Sequence, residues 1–195
     1  MLEQQEAVIG RLIRNMDSVE KAIETNPFDH ILYEFSMYLQ ASVLISTEQF
    51  INNLLVDSRM VHMRNLAYFF CSDNDKGKGY LHYTAYIKDR LADEIDHELF
   101  SNIQRITSNS TCHLLKGRFS ENFKQETAQF EQMVFPKLSM LIKEFVSFAS
   151  SERIREECRN QWENEQIQLN AVYVMDLISY IEKGSLFPTT RITTE

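Results

Sequence analysis

Glycine and proline are scarce in this sequence. Its 195 residues include five glycines and three prolines, and neither type occurs between Phe28 and Phe70. Because these residues end helices and form tight turns, their scarcity argues against many short strands and favours long helices. Strict alternation of apolar and polar residues, the signal of a half-buried strand, is also lacking. The sequence therefore predicts an all-α protein.

Cysteine, positive charge and long apolar runs are limited too. The three cysteines, Cys71, Cys112 and Cys158, form no CxxC pair, which predicts reduced thiols. No apolar run reaches the roughly 18 residues of a membrane span, and the first residues lack the apolar core of a signal peptide. The formal net charge of −8 argues against broad, non-specific nucleic-acid binding but leaves room for a local basic pocket. We therefore expect a cytoplasmic protein without a membrane partner.

The first half of the chain carries apolar residues at helical spacing. In residues 2–24 these are Val8, Ile9, Leu12, Ile13, Met16, Val19 and Ile23. Asn26 can cap the next helix, with Pro27 at its first position. Two helices are predicted to follow, the second capped by Ser46 or Thr47, and one kinked helix is the alternative.

The second half is predicted to be helical as well. After a glycine-containing loop at 71–80, we expect a helix from about Lys88 to Leu115 and a break at Gly117. Residues 123–183 should then be helical, with interruptions at Pro136 and at residues 149–153. Gly184 can cap the last helix, and residues 185–195 should form a flexible tail. The fold class is an all-α antiparallel helical bundle, with residues 1–184 as a single domain.

A polar triplet interrupts the apolar helix at "HMRNLAYFF", residues 62–70. Helical geometry places Asn65 on a stripe with Leu54, Ser58, Val61 and Phe69, and His62 on the neighbouring stripe with Leu55, Arg59, Leu66 and Phe70. We expect His62 and Asn65 to point towards other helices and Arg64 to lie nearer a boundary. Two interpretations stay open: a structural polar layer that fixes helix register, or a functional pocket.

A second polar cluster follows at residues 105–118. Arg105, Asn109 and His113 are spaced i, i+4, i+8 along the predicted helix, and Lys116 and Arg118 follow on the loop. The cluster is either a frayed helix end with solvated side chains or an anion or phosphate site. In such a site His113 would be the general base and Arg105 the charge stabiliser.

Metal binding is not predicted. Glu94 and His97 have the Glu-x-x-His spacing of di-iron bundles, but that fold needs the motif twice and this chain contains it once. The cysteines also lack partners at ligand spacing. We therefore predict no metal and no cofactor.

The order of these segments resembles the HEPN-like superfamily of small bacterial helical proteins. The similarity covers about residues 28–120: "LVDSRMVHMRNLAYFF", a charged loop, "YLHYTAYI", and a helix that finishes "NIQRITSNSTCHLLKGRF". In those relatives an H-x-R-N-L segment precedes an aromatic pair, and a later helix closes with a histidine followed shortly by a basic residue. The resemblance implies a core of four to five antiparallel helices, here extended by an N-terminal helix and by residues 121–184, and a homodimer.

The resemblance also implies an activity. Many such proteins are RNA-cleaving toxins or phage-defence effectors, in which an arginine and a later histidine act without a metal. Arg105 and His113 would take these roles, and Asn109 would supply the polar group. Lys116 and Arg118 are expected to bind RNA or a nucleotide. The residues expected to support the site are His62, Arg64 and Asn65. Two features differ from the family pattern: Ile106 is apolar, and seven residues separate Arg105 from His113.

Two functions are therefore predicted from the sequence. One is a metal-independent ribonuclease, or an RNA- or nucleotide-binding protein, with a cognate antitoxin or defence partner. The alternative is a non-catalytic helical dimerisation or interaction module whose polar layers are structural.

Overall fold

The computed structural model describes residues 26–44, 48–71, 81–108 and 121–183. Within these ranges the chain is an all-α helical bundle, as predicted. Its six α-helices are α1 (Pro27–Val43), α2 (Gln49–Phe70), α3 (His97–Thr107), α4 (Glu121–Ala149), α5 (Glu156–Trp162) and α6 (Glu165–Glu182). None of the helices in the described ranges is long and apolar enough to cross a membrane.

Helix α1 begins where the sequence predicts. Asn26 is the N-cap, its side-chain oxygen accepts from the backbone N–H of Phe28, and Pro27 occupies the first turn. Apolar residues at three- and four-residue spacing then form a buried face: Phe28, Ile31, Leu32, Phe35, Tyr38 and Leu39. Local capping and helical periodicity therefore account for this element.

Helices α1 and α2 are antiparallel, and α4 packs across both. Glu34 of α1 contacts His62 of α2, while Tyr38, one turn later in α1, lies near Arg59, one turn earlier in α2. The centre of the bundle is a cluster of aromatic rings whose closest centroids are 4.9–5.9 Å apart: Phe35, Phe69, Phe70 and Phe145. Such ring pairs add to the stability that burial provides.

The helix predicted from Lys88 to Leu115 is wrong at its start. Helix α3 begins only at His97, where Asp96 accepts a hydrogen bond from the backbone N–H of Leu99. The preceding segment instead pairs its backbone with distant parts of the chain, through Lys88 N–H to the Arg153 carbonyl and Ile95 N–H to the Phe70 carbonyl. Its apolar residues are buried in the core at four-residue spacing, which imitates a helix: Tyr83, Ile87, Leu91 and Ile95.

The other predicted boundaries have mixed outcomes. Helix α4 continues through Pro136, which is exposed on the solvent side, so the predicted interruption there is wrong, whereas the break at residues 149–153 is confirmed. Two separate helices, α1 and α2, do occur, but Glu48 and not Ser46 or Thr47 is the N-cap of α2. The predicted helix 2–24, the loop 72–80, the break at Gly117, the cap at Gly184 and the tail 185–195 lie outside the described residues.

Candidate functional site

A polar cluster joins α1 to α2 at the H-x-R-N-L segment. The Nδ1 atom of His62 lies 2.7 Å from Oε2 of Glu34, and the side-chain amide of Asn65 donates to the same oxygen at 3.0 Å. The Glu34 side chain is 12% exposed and that of His62 is 10% exposed, so the pair is nearly dry. The Nε2 atom of exposed His30, one turn earlier in α1, lies 4.0 Å from Oε1 of Glu34. We call Glu34, His62 and Asn65 the Glu34 cluster.

The Glu34 cluster keeps its carboxyl group ionised. Burial alone raises the pKa of Glu34, but the hydrogen bonds from His62 and Asn65 and the positive field of His62 and His30 outweigh burial and lower the pKa. A carboxylate can only accept hydrogen bonds, so Nδ1 of His62 carries the hydrogen of this contact. The cluster is therefore a charge-assisted clamp between two helices.

The lowered pKa of Glu34 predicts a pH dependence of stability. The folded carboxyl group binds protons less readily than the unfolded one, so its contribution is present above the ordinary carboxyl value of 4.5 and is lost as the pH falls through the lower folded value. We expect the free energy of unfolding of wild-type protein to exceed that of Glu34→Gln at pH 7, and the difference to shrink steadily below pH 4.5. Urea unfolding of both proteins across this range measures the effect. A difference that is the same at every pH would contradict the assignment.

A carboxylate that orients a histidine is also found in sites of general-base catalysis. Here, however, His62 is buried, and its ring packs edge-on against that of Tyr33, with ring centroids 5.9 Å apart. The described hydrogen bonds of His62 and Asn65 go to α1, and not to the helix that carries Arg105. This geometry suits a structural clamp better than a site that presents a base to substrate.

A second polar layer joins α2 to α4. An Nη atom of Arg59 lies 3.6 Å from a carboxylate oxygen of Glu131 on α4, with both side chains about four-fifths buried. Burial raises the pKa of Glu131, and Arg59 only partly offsets this. Among the described residues, no hydrogen-bond partner reaches the buried hydroxyl groups of Tyr38 and Thr127 or the buried Nε atom of Arg59. Because each such atom costs free energy, this layer constrains which helices meet more than it stabilises them.

The helical faces predicted for α2 are partly wrong. His62 points towards α1, as its position predicts, and Arg64 is half-buried at a boundary. Asn65 is exposed although its amide reaches Glu34, and Leu54 and Val61 on the same stripe are 52% and 46% exposed. The reason is that the buried face of α2 centres on other apolar residues, namely Met60, Met63, Leu66, Ala67 and Phe70.

Arg105 is the one predicted catalytic residue within the described ranges. It lies in the last turn of α3, where its guanidinium group, with 51% of the side chain exposed, contacts the Glu126 carboxylate at 2.9 Å. Ile106, the apolar departure from the family pattern, is fully buried, so the core explains its character. Asn109, His113, Lys116 and Arg118 lie outside the described residues, and their roles stay predictions.

The lone Glu-x-x-His motif is used for packing. Glu94 accepts a hydrogen bond from the hydroxyl group of the buried Tyr83. Burial, and to a smaller extent this hydrogen bond, raise the pKa of Tyr83. His97 is exposed at the first position of α3. In the part of the chain that the structure describes, no group of three or more His, Cys, Asp or Glu side chains could hold a metal ion.

Glu34, the residue that gives the Glu34 cluster its charge, is not among the site residues predicted from the sequence. A signal was present, because Glu34 lies among the apolar residues of α1 next to Phe35 and four residues after His30. A carboxylate on a mostly buried helix needs a partner, and a histidine or an asparagine on the next helix can supply one.

Comparisons with known proteins identify no relative. No protein-family model, no curated protein and no solved structure matches this chain.

Proposed function

We propose that this chain is a non-catalytic helical interaction module whose polar layers are structural. The observation that carries the proposal is the Glu34 cluster, because the histidine and asparagine of the H-x-R-N-L segment both direct their polar groups to a carboxylate on the neighbouring helix. Groups engaged in this way fix the register of α1 against α2. The exposed surface, and not the polar triplet, then carries the interaction.

Helix α6 presents the surface that best suits a partner. Leu169, Val172, Tyr173 and Tyr180 are 43–59% exposed. Val172 and Tyr173 lie three and four residues after Leu169, and Tyr180 lies two turns after Tyr173. Protein interfaces favour tyrosine and apolar residues at the expense of charged ones, and Asp176 is the only charged residue between Leu169 and Tyr180. We call this surface the α6 face.

A second copy of the chain is the partner that we propose for the α6 face. An acidic protein with net charge −8 repels itself over most of its surface, but a nearly uncharged face lowers that cost. A two-fold contact needs only one such patch, because each copy presents the same surface to the other. This proposal agrees with the homodimer that the HEPN-like resemblance implies.

The dimer is tested by the mass in solution. Light scattering should give about twice 23.0 kDa for the wild type. Val172→Glu should raise the dimer dissociation constant at least about tenfold, because it buries a like charge twice across the contact. The matched control is Val61→Glu on α2, where the valine is 46% exposed compared with 59% for Val172, and this variant should leave the mass unchanged. A wild-type monomer at micromolar concentration, or dissociation by the control variant alone, would remove the α6 face from the proposal.

A metal-independent ribonuclease of the HEPN-like type is the second candidate function. The observation that favours it is the position of Arg105, whose side chain is half exposed in the last turn of α3, directly before the segment that carries Asn109 and His113. Its pairing with exposed Glu126 is weak and can be exchanged for a phosphate group at little cost. In this proposal Lys116 and Arg118 hold the RNA backbone, and a cognate antitoxin or defence protein is the partner.

A further inference from the structure

Helix α2 has an apolar strip that no described element covers. Phe50, Leu54 and Val61 are 71%, 52% and 46% exposed, and Ile51 on the edge of the strip is 40% exposed. Single apolar residues on a surface are ordinary, but three of these four lie within residues 50–54, and Val61 follows two turns later on the same face. We call these four residues the α2 strip.

The α2 strip borders a groove between α1 and α2. One turn beyond Val61, exposed Asn65 reaches across to Glu34 of α1, so the strip runs beside the Glu34 cluster. On the α1 side Tyr33 and Met37 are half-buried, and the Tyr33 ring contacts the ring of His62. An element laid along this groove would meet apolar side chains from both helices.

We propose that the N-terminal segment, residues 2–24, forms an amphipathic helix that packs along this groove and covers the α2 strip. The segment has apolar residues at the spacing of one helical face: Val8, Ile9, Leu12, Ile13, Met16, Val19 and Ile23. Charged residues occupy much of its other side, which suits one face against the bundle and one in water.

The point of attachment and the length both fit. Asn26 is held by its side-chain amide, which donates to the Gln161 carbonyl, at the start of α1. Because α1 and α2 are antiparallel, this end of α1 lies beside the end of α2 that contains Phe70, and a helix that turns back at residue 25 runs along α2 towards Phe50. As a helix, residues 2–24 rise about 35 Å, and the 22 residues of α2 rise about 33 Å.

The covalent link also decides between this segment and a second copy. A segment tethered by a short connection has an effective concentration on the order of millimolar, whereas a second copy is present at micromolar concentration. If the two make comparable apolar contacts, the tethered segment therefore outcompetes a second copy for the groove. A second copy is then left with the α6 face.

Amide hydrogen exchange of the full chain, followed by mass spectrometry, tests the proposal. In the wild type, amides of residues 8–23 should exchange at least about tenfold more slowly than those of the same peptide alone. Val61→Glu and Leu54→Glu should each remove that protection, because a buried carboxylate opposes docking. Both replaced side chains are half exposed, so protection in α4 and α6 should not change. The matched control is Val172→Glu on the α6 face, which should leave residues 8–23 protected.

Three outcomes would overturn the proposal. Residues 8–23 that exchange as fast as the free peptide show that the segment does not dock. Protection that persists in both α2 variants shows that it docks elsewhere. Protection that disappears on dilution of the wild type shows that a second copy, and not the covalent tether, holds the segment in place.

Discussion

Glu34→Ala is expected to lower the free energy of unfolding by about 2–4 kcal/mol, because it leaves two hydrogen-bond donors, one of them buried, without their acceptor. His62 and Asn65 both donate to one oxygen of Glu34, at 2.7 and 3.0 Å, in a nearly dry position. His62→Ala should cost about 1–3 kcal/mol through the lost hydrogen bond and the cavity, and Asn65→Ala less, because Asn65 is exposed. Urea or thermal unfolding measures all three.

The matched control is Glu126→Ala. Glu126 contacts Arg105 at 2.9 Å, about as close as Glu34 is to His62, but the side chains of Glu126 and Arg105 are both about half exposed. An exposed ion pair contributes about 0–1 kcal/mol, so this variant should be nearly neutral. Equal losses from Glu34→Ala and Glu126→Ala would mean that burial does not strengthen the Glu34 cluster, and the structural assignment of the H-x-R-N-L segment would be wrong.

The elements that the sequence predicted well depend on local signals. Asn26, Pro27 and the apolar spacing of α1 lie within one stretch of chain, so capping and periodicity determine the helix without knowledge of its neighbours. The break after Ala149 is predicted for the same reason. Fold class followed from the scarcity of glycine and proline, because long uninterrupted segments have few alternatives to a helix.

Tertiary contacts decide what the sequence could not show. Apolar residues occur on both sides of α2, so periodicity alone could not choose the face that centres on Met63 over the one that contains Leu54 and Val61. Likewise, Lys88 to Ile95 look helical because Leu91 and Ile95 are apolar and four residues apart, yet backbone pairing with Phe70 and Arg153 holds that segment in another form. Pairings across such distances in sequence do not follow from local preference.

For the candidate site, too, part could be predicted from helical position and part required the fold. Helical position was enough to turn His62 towards another helix, but the identity of its partner, 28 residues away, required the fold. Arg105 was predicted in a helix, and its pairing with Glu126 of α4 could not be read from spacing. The sequence thus indicates that His62 needs a hydrogen-bond partner on another helix, but only the fold identifies that partner as Glu34.

The largest expected effect on activity belongs to His113→Ala. If the ribonuclease proposal is correct, the full chain cleaves single-stranded RNA in metal-free buffer. His113 would take the proton of the 2′-hydroxyl group, the 2′-oxygen would attack the phosphorus, and Arg105 would stabilise the phosphorane. The bond from phosphorus to the 5′-oxygen then breaks, and the protonated histidine returns the proton to that oxygen. Removal of the base should slow cleavage about 10²–10⁴-fold. Arg105→Ala should also slow cleavage while leaving stability nearly unchanged, because its side chain is half exposed and its ion pair with Glu126 joins two exposed side chains.

The control for His113→Ala is His30→Ala, which removes a histidine with a 65% exposed side chain from another helix and should leave cleavage at the wild-type rate. Loss of cleavage in both variants would point to a contaminating nuclease or a general effect of histidine removal. Unfolding of His113→Ala would make His113 a structural residue and end its catalytic assignment. If the wild-type protein neither cleaves RNA nor binds a nucleotide, the ribonuclease proposal is wrong. The interaction module then stays as the proposed function.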